Sequence, residues 1–171
     1  MPNIVKPKIE KILNVQVEKE AYSSHLYLAM ASWAENQGLI GVAGWLYAQA
    51  DEEKLHMLKI VRYINERDGK TVIPALKKPP ADFQGVRLMF EKVLEHEQFI
   101  TASINEIVAV CMKEHDFTTQ NWLQWFVTEQ IQEEASVREI LDKLNLVGDN
   151  FLYLFDRDIM GLRATSGETA Q

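Results

Sequence analysis

The chain has 171 residues, of which 47% are hydrophobic and 25% charged, ordinary values for a globular protein large enough to bury a real core. Acidic side chains outnumber basic ones by 25 to 18, and the resulting net charge of −7 argues against nucleic acid as a partner and favours attraction of cations. The one cysteine, Cys111, excludes a disulfide framework; residues 1–15 lack the apolar stretch of a secretory signal, and no run approaches the ~18 apolar residues of a membrane span, so a cytoplasmic protein with no membrane partner is expected.

Strand signals are scarce, and the 8 glycines and 5 prolines fall mainly between long stretches of helical period, so the expected class is all-α. The first helix should run from about residue 8 to 37, with Pro7 in the first turn and Gly38 as the stop. A second should follow from about 42 to 68, ended by Gly69. Residues 69–82 break the pattern with Pro74, Pro79 and Pro80, and Asp82 looks like the N-cap of a third helix ending near 114. After a short turn over 115–119, Thr118 or Thr119 can cap a fourth helix reaching about 146. Beyond Gly148 the stretch 150–162 reads as a short fifth helix, and 164–171 as a small polar tail that frays. The chain thus reads as one domain, a four-helix bundle over about 8–146 with an extra short helix.

Connection lengths set the expected topology. Turns of a few residues make helices one and two antiparallel, and likewise three and four. A helix of the second one's length measures roughly 40 Å at about 1.5 Å per residue. The middle linker, extended at about 3.3 Å per residue, reaches roughly 46 Å, enough for a long crossover that returns along the bundle. Helices two and three then run parallel. The apolar residues Phe151, Leu152, Leu154, Phe155, Ile159, Met160 and Leu162 lie beyond an already complete four-helix core, a surplus that usually finds a partner.

The four apolar seams are interrupted at one height. The first reads Leu13, Val17, Glu20, Ser24, Tyr27, Ala31; the second Leu46, Gln49, Glu53, His56, Ile60; the third Val93, Glu97, Ile100; the fourth Phe126, Gln130, Glu133, Val137. An ionised carboxylate alone in a dry core is too costly, so it neutralises, pairs or binds metal. Glu20, Glu53, His56, Glu97, Gln130 and Glu133 share those seams with no Lys or Arg. A pair of metal ions is their simplest partner, and oxygen-rich ligation with one imidazole suits iron or manganese. Glu53-Lys-Leu-His56 is the chain's only Glu-x-x-His; its i, i+3 spacing puts both groups on one face, where the carboxylate can bridge two ions. That motif alone recurs by chance, and its weight comes from its seam and its partners. The competing reading, a buried polar network with a protonated His56, leaves at least two carboxylates uncompensated.

With these residues in place the chain resembles the non-haem ferritins of bacteria over nearly its whole length. The matching stretches are EAYSSHLY (20–27), ADEEKLHM (50–57), EHEQFI (95–100) and NWLQWFVTEQ (121–130). The family's fold is a ferritin-like four-helix bundle with a short fifth C-terminal helix. Of the ferritin-like di-iron pattern, the fourth helix keeps Gln130-x-x-Glu133 in place of a second Glu-x-x-His. The resemblance implies a first iron held by Glu20, Glu53 and His56 and a second by Glu53, Glu97 and Glu133, with Gln130 orienting dioxygen or water. It makes Tyr27 the family's redox-active tyrosine, and it places a third, outer iron at Glu52, Glu129 and Glu133. At that third site Gln132 replaces a family glutamate. Bacterioferritins put a haem-ligating methionine where this chain has Lys54, so no haem is expected. Trp125 flanks the seam and is expected to pack in the core.

The implied activity is that of an iron-storage ferritin with ferroxidase chemistry: Fe(2+) is oxidised to Fe(3+) by dioxygen or peroxide at a di-iron centre. Mineral then collects inside a homo-oligomeric shell of 24 subunits. A soluble di-iron oxidase or peroxidase of the same superfamily is the main rival, and it would normally carry the second Glu-x-x-His. A mini-ferritin that protects DNA would place its site between subunits and lack the fifth helix. A metal-free helical scaffold would have no use for acids and amides at one level.

Overall fold

The computed structural model describes residues 4–166, with side chains described through residue 163. Five α-helices account for nearly all of it: α1 (Pro7–Asn36), α2 (Ile40–Glu66), α3 (Val86–Lys113), α4 (Phe117–Val147) and α5 (Leu152–Ser166). A 3₁₀ turn, Asp149–Phe151, joins α4 to α5. None of the helices is long and apolar enough to cross a membrane.

Helix ends show where local signals sufficed. Gly38 closes α1 in a left-handed conformation (φ +79°), with its amide bonded to Glu35 O and that of Leu39 to Ala34 O. α2 begins two residues earlier than the turn signal suggested. Its first amides are served from a distance: the Asp156 carboxylate on α5 accepts from Val42 N at 2.8 Å. Two capping expectations fail. α3 starts at Val86, not after Asp82, because the linker stays extended until Gly85 turns it (φ +124°), held on the way by Phe83 packing edge-on to Trp33. α4 is capped by Asp116, whose side chain accepts from both Thr119 N and Thr119 Oγ1, so Thr118 and Thr119 lie inside the first turn. α5 runs to Ser166, past the expected end at 162; residues 167–171 of the expected tail lie outside the described residues.

Paired residues give the directions. Ser24 with Ala50 and Tyr47 with Glu35 make α1 and α2 antiparallel; Thr101 with Glu134 and Arg87 with Asn145 do the same for α3 and α4. Gln16 bonds Ser103 and Tyr27 bonds Glu97, so α3 is antiparallel to α1 and therefore parallel to α2. The linker that makes this possible is tied to α1 at one end by Asn14 and Glu10, which bind the backbone of residues 70 and 72, and at the other by Trp33. From Glu10 to Trp33 the helix rises roughly 35 Å at about 1.5 Å per residue, a distance that residues 70–83 cover when extended at about 3.3 Å each.

The apolar core comes in two halves. One is built from Tyr27 to Ala34, Val42 to Ala50, Val86 to Val93 and Val137 to Leu144, closed by Phe155 and Ile159 of α5. The other gathers Ile9 to Val17, Ile60 to Ile64, Ile100 to Cys111, Leu123 and Phe126. Between them lies the polar layer that the seams foretold. α5 docks so closely on α2 that a Cβ at Gly41 would come within 1.8 Å of Asp156 O. The fifth helix's apolar surplus is thus divided: Phe155 and Ile159 complete the chain's own core, while Phe151, Leu154 and Met160 remain exposed.

Candidate metal centre

Each helix delivers its polar residues to the layer because the steps of three and four that make its apolar stripe continue through them. Glu20, Gln49, Glu53, His56, Glu97, Gln130 and Glu133 are all buried, the four carboxylates at 1 to 6% exposure. Among the described residues their ligand atoms fall into overlapping groups: Glu20, Glu53 and His56; Glu53, Glu97 and Glu133; and His56, Glu129 and Glu133. Within each, the atoms lie within 4.8 Å of one another, the spacing of groups around a common ion. Glu53 belongs to the first two and Glu133 to the last two.

Amides and hydroxyls hold the carboxylates in place. Gln16 donates to Glu20 Oε1 at 2.7 Å and itself accepts from Ser103 Oγ at 2.6 Å. Gln49 Nε2 spans two ligands, donating to Glu53 Oε1 at 3.1 Å and Glu133 Oε2 at 2.7 Å. Gln130 Nε2 reaches Glu97 Oε2 and Thr101 Oγ1, each at 3.2 Å, and the Tyr27 hydroxyl donates to Glu97 Oε1. His56 Nδ1 is 3.3 Å from Glu53 Oε2, and the imidazole meets Trp125 and Phe126 edge-on. Among the described residues one buried side-chain oxygen has no hydrogen-bond partner, Glu20 Oε2. A buried polar atom normally has a partner, so this one has room for a water or an ion.

The electrostatics point the same way. Burial weakens all four glutamates as acids: Glu97 is pushed up to about 7, and Glu53 and Glu133 sit well above the ordinary carboxylate range, pushed further by the neighbouring carboxylates. Glu20 is also raised by burial, with His56 and the Gln16 amide partly offsetting it. Tyr27 is held well above 10 by burial and by the Glu97 charge. Four acids that resist ionisation in one layer are a site that gains from cations, since a divalent ion restores their charged forms. The ligand set is oxygen-rich with one imidazole and contains no thiol, because Cys111 lies in the half of the core that holds Ile104 and Leu123, away from this layer.

The structure spreads the sequence-derived candidates over several environments. Glu20, Glu53, His56, Glu97, Gln130 and Glu133 converge, and Tyr27 joins them through Glu97. Glu129, half-buried, sits with His56 and Glu133, whereas Glu52 is half-exposed and directs its carboxylate to Arg163 at 2.6 Å. Trp125 was expected in the core; it is 40% exposed, with Lys59 Nζ 3.7 Å above its ring, because one edge covers His56 while the other meets solvent. Two participants escaped the sequence reading. Gln49 stood in the seam without a role, yet it bridges Glu53 and Glu133. Arg163 had no local signal at all, since its partners Gln49 and Glu52 lie more than a hundred residues away.

Comparison with known proteins places this arrangement. The ferritin-like domain family matches residues 10–147. The chain is 43% identical over 157 residues to a bacterial non-haem ferritin of Campylobacter jejuni, covering 91% of this chain and 94% of that one. It is 35% identical over 161 residues to a bacterial non-haem ferritin of Escherichia coli, covering 93% and 98%. An open-pore ferritin from the archaeon Archaeoglobus fulgidus superposes with a TM-score of 0.89 at 38% identity, covering 93% of this chain and 98% of that one. A buried carboxylate layer on this bundle, with these relatives, makes the chain a member of the ferritin family, of the bacterial non-haem kind.

Proposed function

We propose that this iron-storage ferritin oxidises ferrous iron at the buried carboxylate layer, with Glu53 bridging two ions. Glu20, Glu53 and His56 receive the first, and Glu53, Glu97 and Glu133 the second. The observation that carries this reading is the membership of Glu53 in two adjacent ligand groups, with Glu20 Oε2 left without a hydrogen-bond partner among the described residues. Two ferrous ions at a fixed separation each give up one electron to one dioxygen, which takes two protons and leaves as hydrogen peroxide. The ferric products then move on and hydrolyse to an oxyhydroxide.

The chain's own residues contribute orientation and protons. Gln49 and Gln130 fix the carboxylates that must change partners as iron enters and leaves. Tyr27 donates to Glu97, so oxidation of the phenol would release its proton towards the Glu97 carboxylate, the acceptor already in place. Glu52 and Glu129 with Glu133 offer a third position on the flank of the pair, weakened by Gln132. A shell of 24 copies would contain the mineral; exposed Leu28, Ile40 and Phe99 are surface that assembly would cover.

Substituting Glu53→Ala removes the bridge and one ligand from each ion. Stopped-flow absorbance after mixing with ferrous iron should lose its fast phase, while size-exclusion chromatography still shows the wild-type assembly. An unchanged initial rate would refute the assignment. Iron content per assembled particle separates storage from a di-iron oxidase, which would retain only a pair of ions per chain.

A further inference from the structure

The bundle opens beside the metal centre through a cleft of roughly 210 Å³ between α2 and α4, with Trp45, Gln49, Glu52, Glu129, Glu133 and Arg163 in its walls. Five of these come from the two long helices; Arg163 comes from α5. Its guanidinium lies 2.6 Å from Glu52 Oε2 and donates to Gln49 Oε1 at 3.1 Å, while its Cζ is 5.4 Å from the Trp45 ring centre. Its side chain is 18% exposed, so it is set into the wall and does not wave in solvent.

This placement is determined by the docking of α5. Phe155 and Ile159 anchor the helix in the half of the core that holds Val42 and Leu46, and Asp156 caps α2 through Val42 N. Arg163 is about two turns beyond Asp156 at 3.6 residues per turn, which carries its side chain along α2 from the cap to the level of Gln49 and Glu52. Gln49 is the same amide that bridges Glu53 and Glu133, so Arg163 touches the centre through one intervening side chain.

Resting on the reading above, we propose that Arg163 is a resident counter-ion of the outer metal position, which competes with a divalent cation for Glu52. A guanidinium is always charged and forks onto a carboxylate, so it satisfies Glu52 in the absence of metal. A third ion bound there must take Glu52 from Arg163 and sit near its positive charge. The first two ions lie behind Gln49 and do not use Glu52, so they do not compete with Arg163 for a ligand. Together with Gln132, Arg163 leaves this chain's outer position two charges less negative than four glutamates would make it. The outer ion is therefore held loosely, and α5 sets how loosely. Arg163 is a positioning and specificity-determining residue, not a ligand.

The test is a calorimetric titration of metal-stripped protein with Zn²⁺, which binds such sites without redox chemistry. The wild type should take up two ions tightly and a third weakly. Arg163→Gln should strengthen the third by about tenfold or more, the lower bound set by removing one unit charge about 6 Å from a divalent ion at a water-like dielectric, and leave the first two unchanged. Arg163→Lys, which keeps the charge, should stay close to wild type; Glu129→Gln in the Arg163→Gln background should erase the gain. A melting curve of each variant reports whether α5 stays docked. Third-ion affinity that is unchanged or weaker in Arg163→Gln, or equally raised in Arg163→Lys, overturns the counter-ion role and leaves the di-iron reading standing. Failure of the wild type to bind the first two ions overturns both.

Discussion

The buried carboxylates make a sharp prediction about stability without metal. Burial pushes the Glu97 carboxyl up to about 7 from the 4.5 of an ordinary glutamate. Between those values the folded chain binds more protons than the unfolded one, so stability falls as pH rises through the window. It is fully present below about 4.5 and lost by about 7. A displacement from 4.5 to about 7 corresponds to about 3 kcal/mol for this one side chain, at roughly 1.4 kcal/mol per unit. Glu53 and Glu133 are raised by burial and by repulsion from neighbouring carboxylates and act in the same direction. For a chain of this size, about 3 kcal/mol is worth roughly 10 °C in Tm. Metal-stripped protein should therefore melt higher at pH 5 than at pH 7.5 by about that much once other titrations are subtracted. Glu97→Gln supplies the subtraction, because an amide cannot ionise and should flatten that part of the slope. Saturating Zn²⁺ should reverse the trend, since ligands must be deprotonated to bind. Scanning calorimetry from pH 5 to 8 measures all three. A wild-type slope identical to that of Glu97→Gln, or a metal-free protein that gains stability with pH through this window, would refute the placement of Glu97 as an uncompensated buried acid.

Other perturbations probe the parts around the centre. Gly41→Ala puts a Cβ against Asp156 O and should displace α5; losing the burial of Phe155 and Ile159 costs about 3–6 kcal/mol at about 1.5–3 kcal/mol per large apolar side chain, read as a lower Tm and faster proteolysis near residue 150. Asp116→Ala removes the α4 cap and the carboxylate 3.7 Å from the buried Arg67 guanidinium, and should destabilise by about 2–4 kcal/mol in denaturant titration. Tyr27→Phe deletes the donor to Glu97 while keeping the ring. It should abolish any tyrosyl signal in freeze-quenched electron paramagnetic resonance and leave the assembly unchanged; a persistent signal would assign it to another residue.

Much of this molecule is written in local sequence, and the reasons are physical. Helical period is a property of neighbouring residues, so the buried faces of α2, α3 and α4 fall on the seams read from the sequence, down to Gln49, Glu53, His56, Glu97, Gln130 and Glu133. Linker lengths are equally local, and they suffice to orient four helices. An acid on an apolar stripe carries its own anomaly, which is why the carboxylate layer was legible before any coordinates. The failures lie where a residue's role depends on a distant partner. Asp82 has the chemistry of a cap, but Gly85 and the Phe83–Trp33 contact keep the chain extended past it. Trp125 has the composition of core, but its helix position turns one edge to water.

The sequence by itself determined the helices, their order and the convergence of four glutamates and a histidine, because each follows from periodicity, loop length and the cost of burying charge. Only the tertiary structure decided which amide holds which carboxylate, that Asp156 caps a helix 114 residues away, and that Arg163 closes on Glu52. Those contacts are between side chains of helices remote in sequence. Their geometry is set by how the fifth helix seats on Gly41, a fit of backbone against backbone that no local pattern encodes.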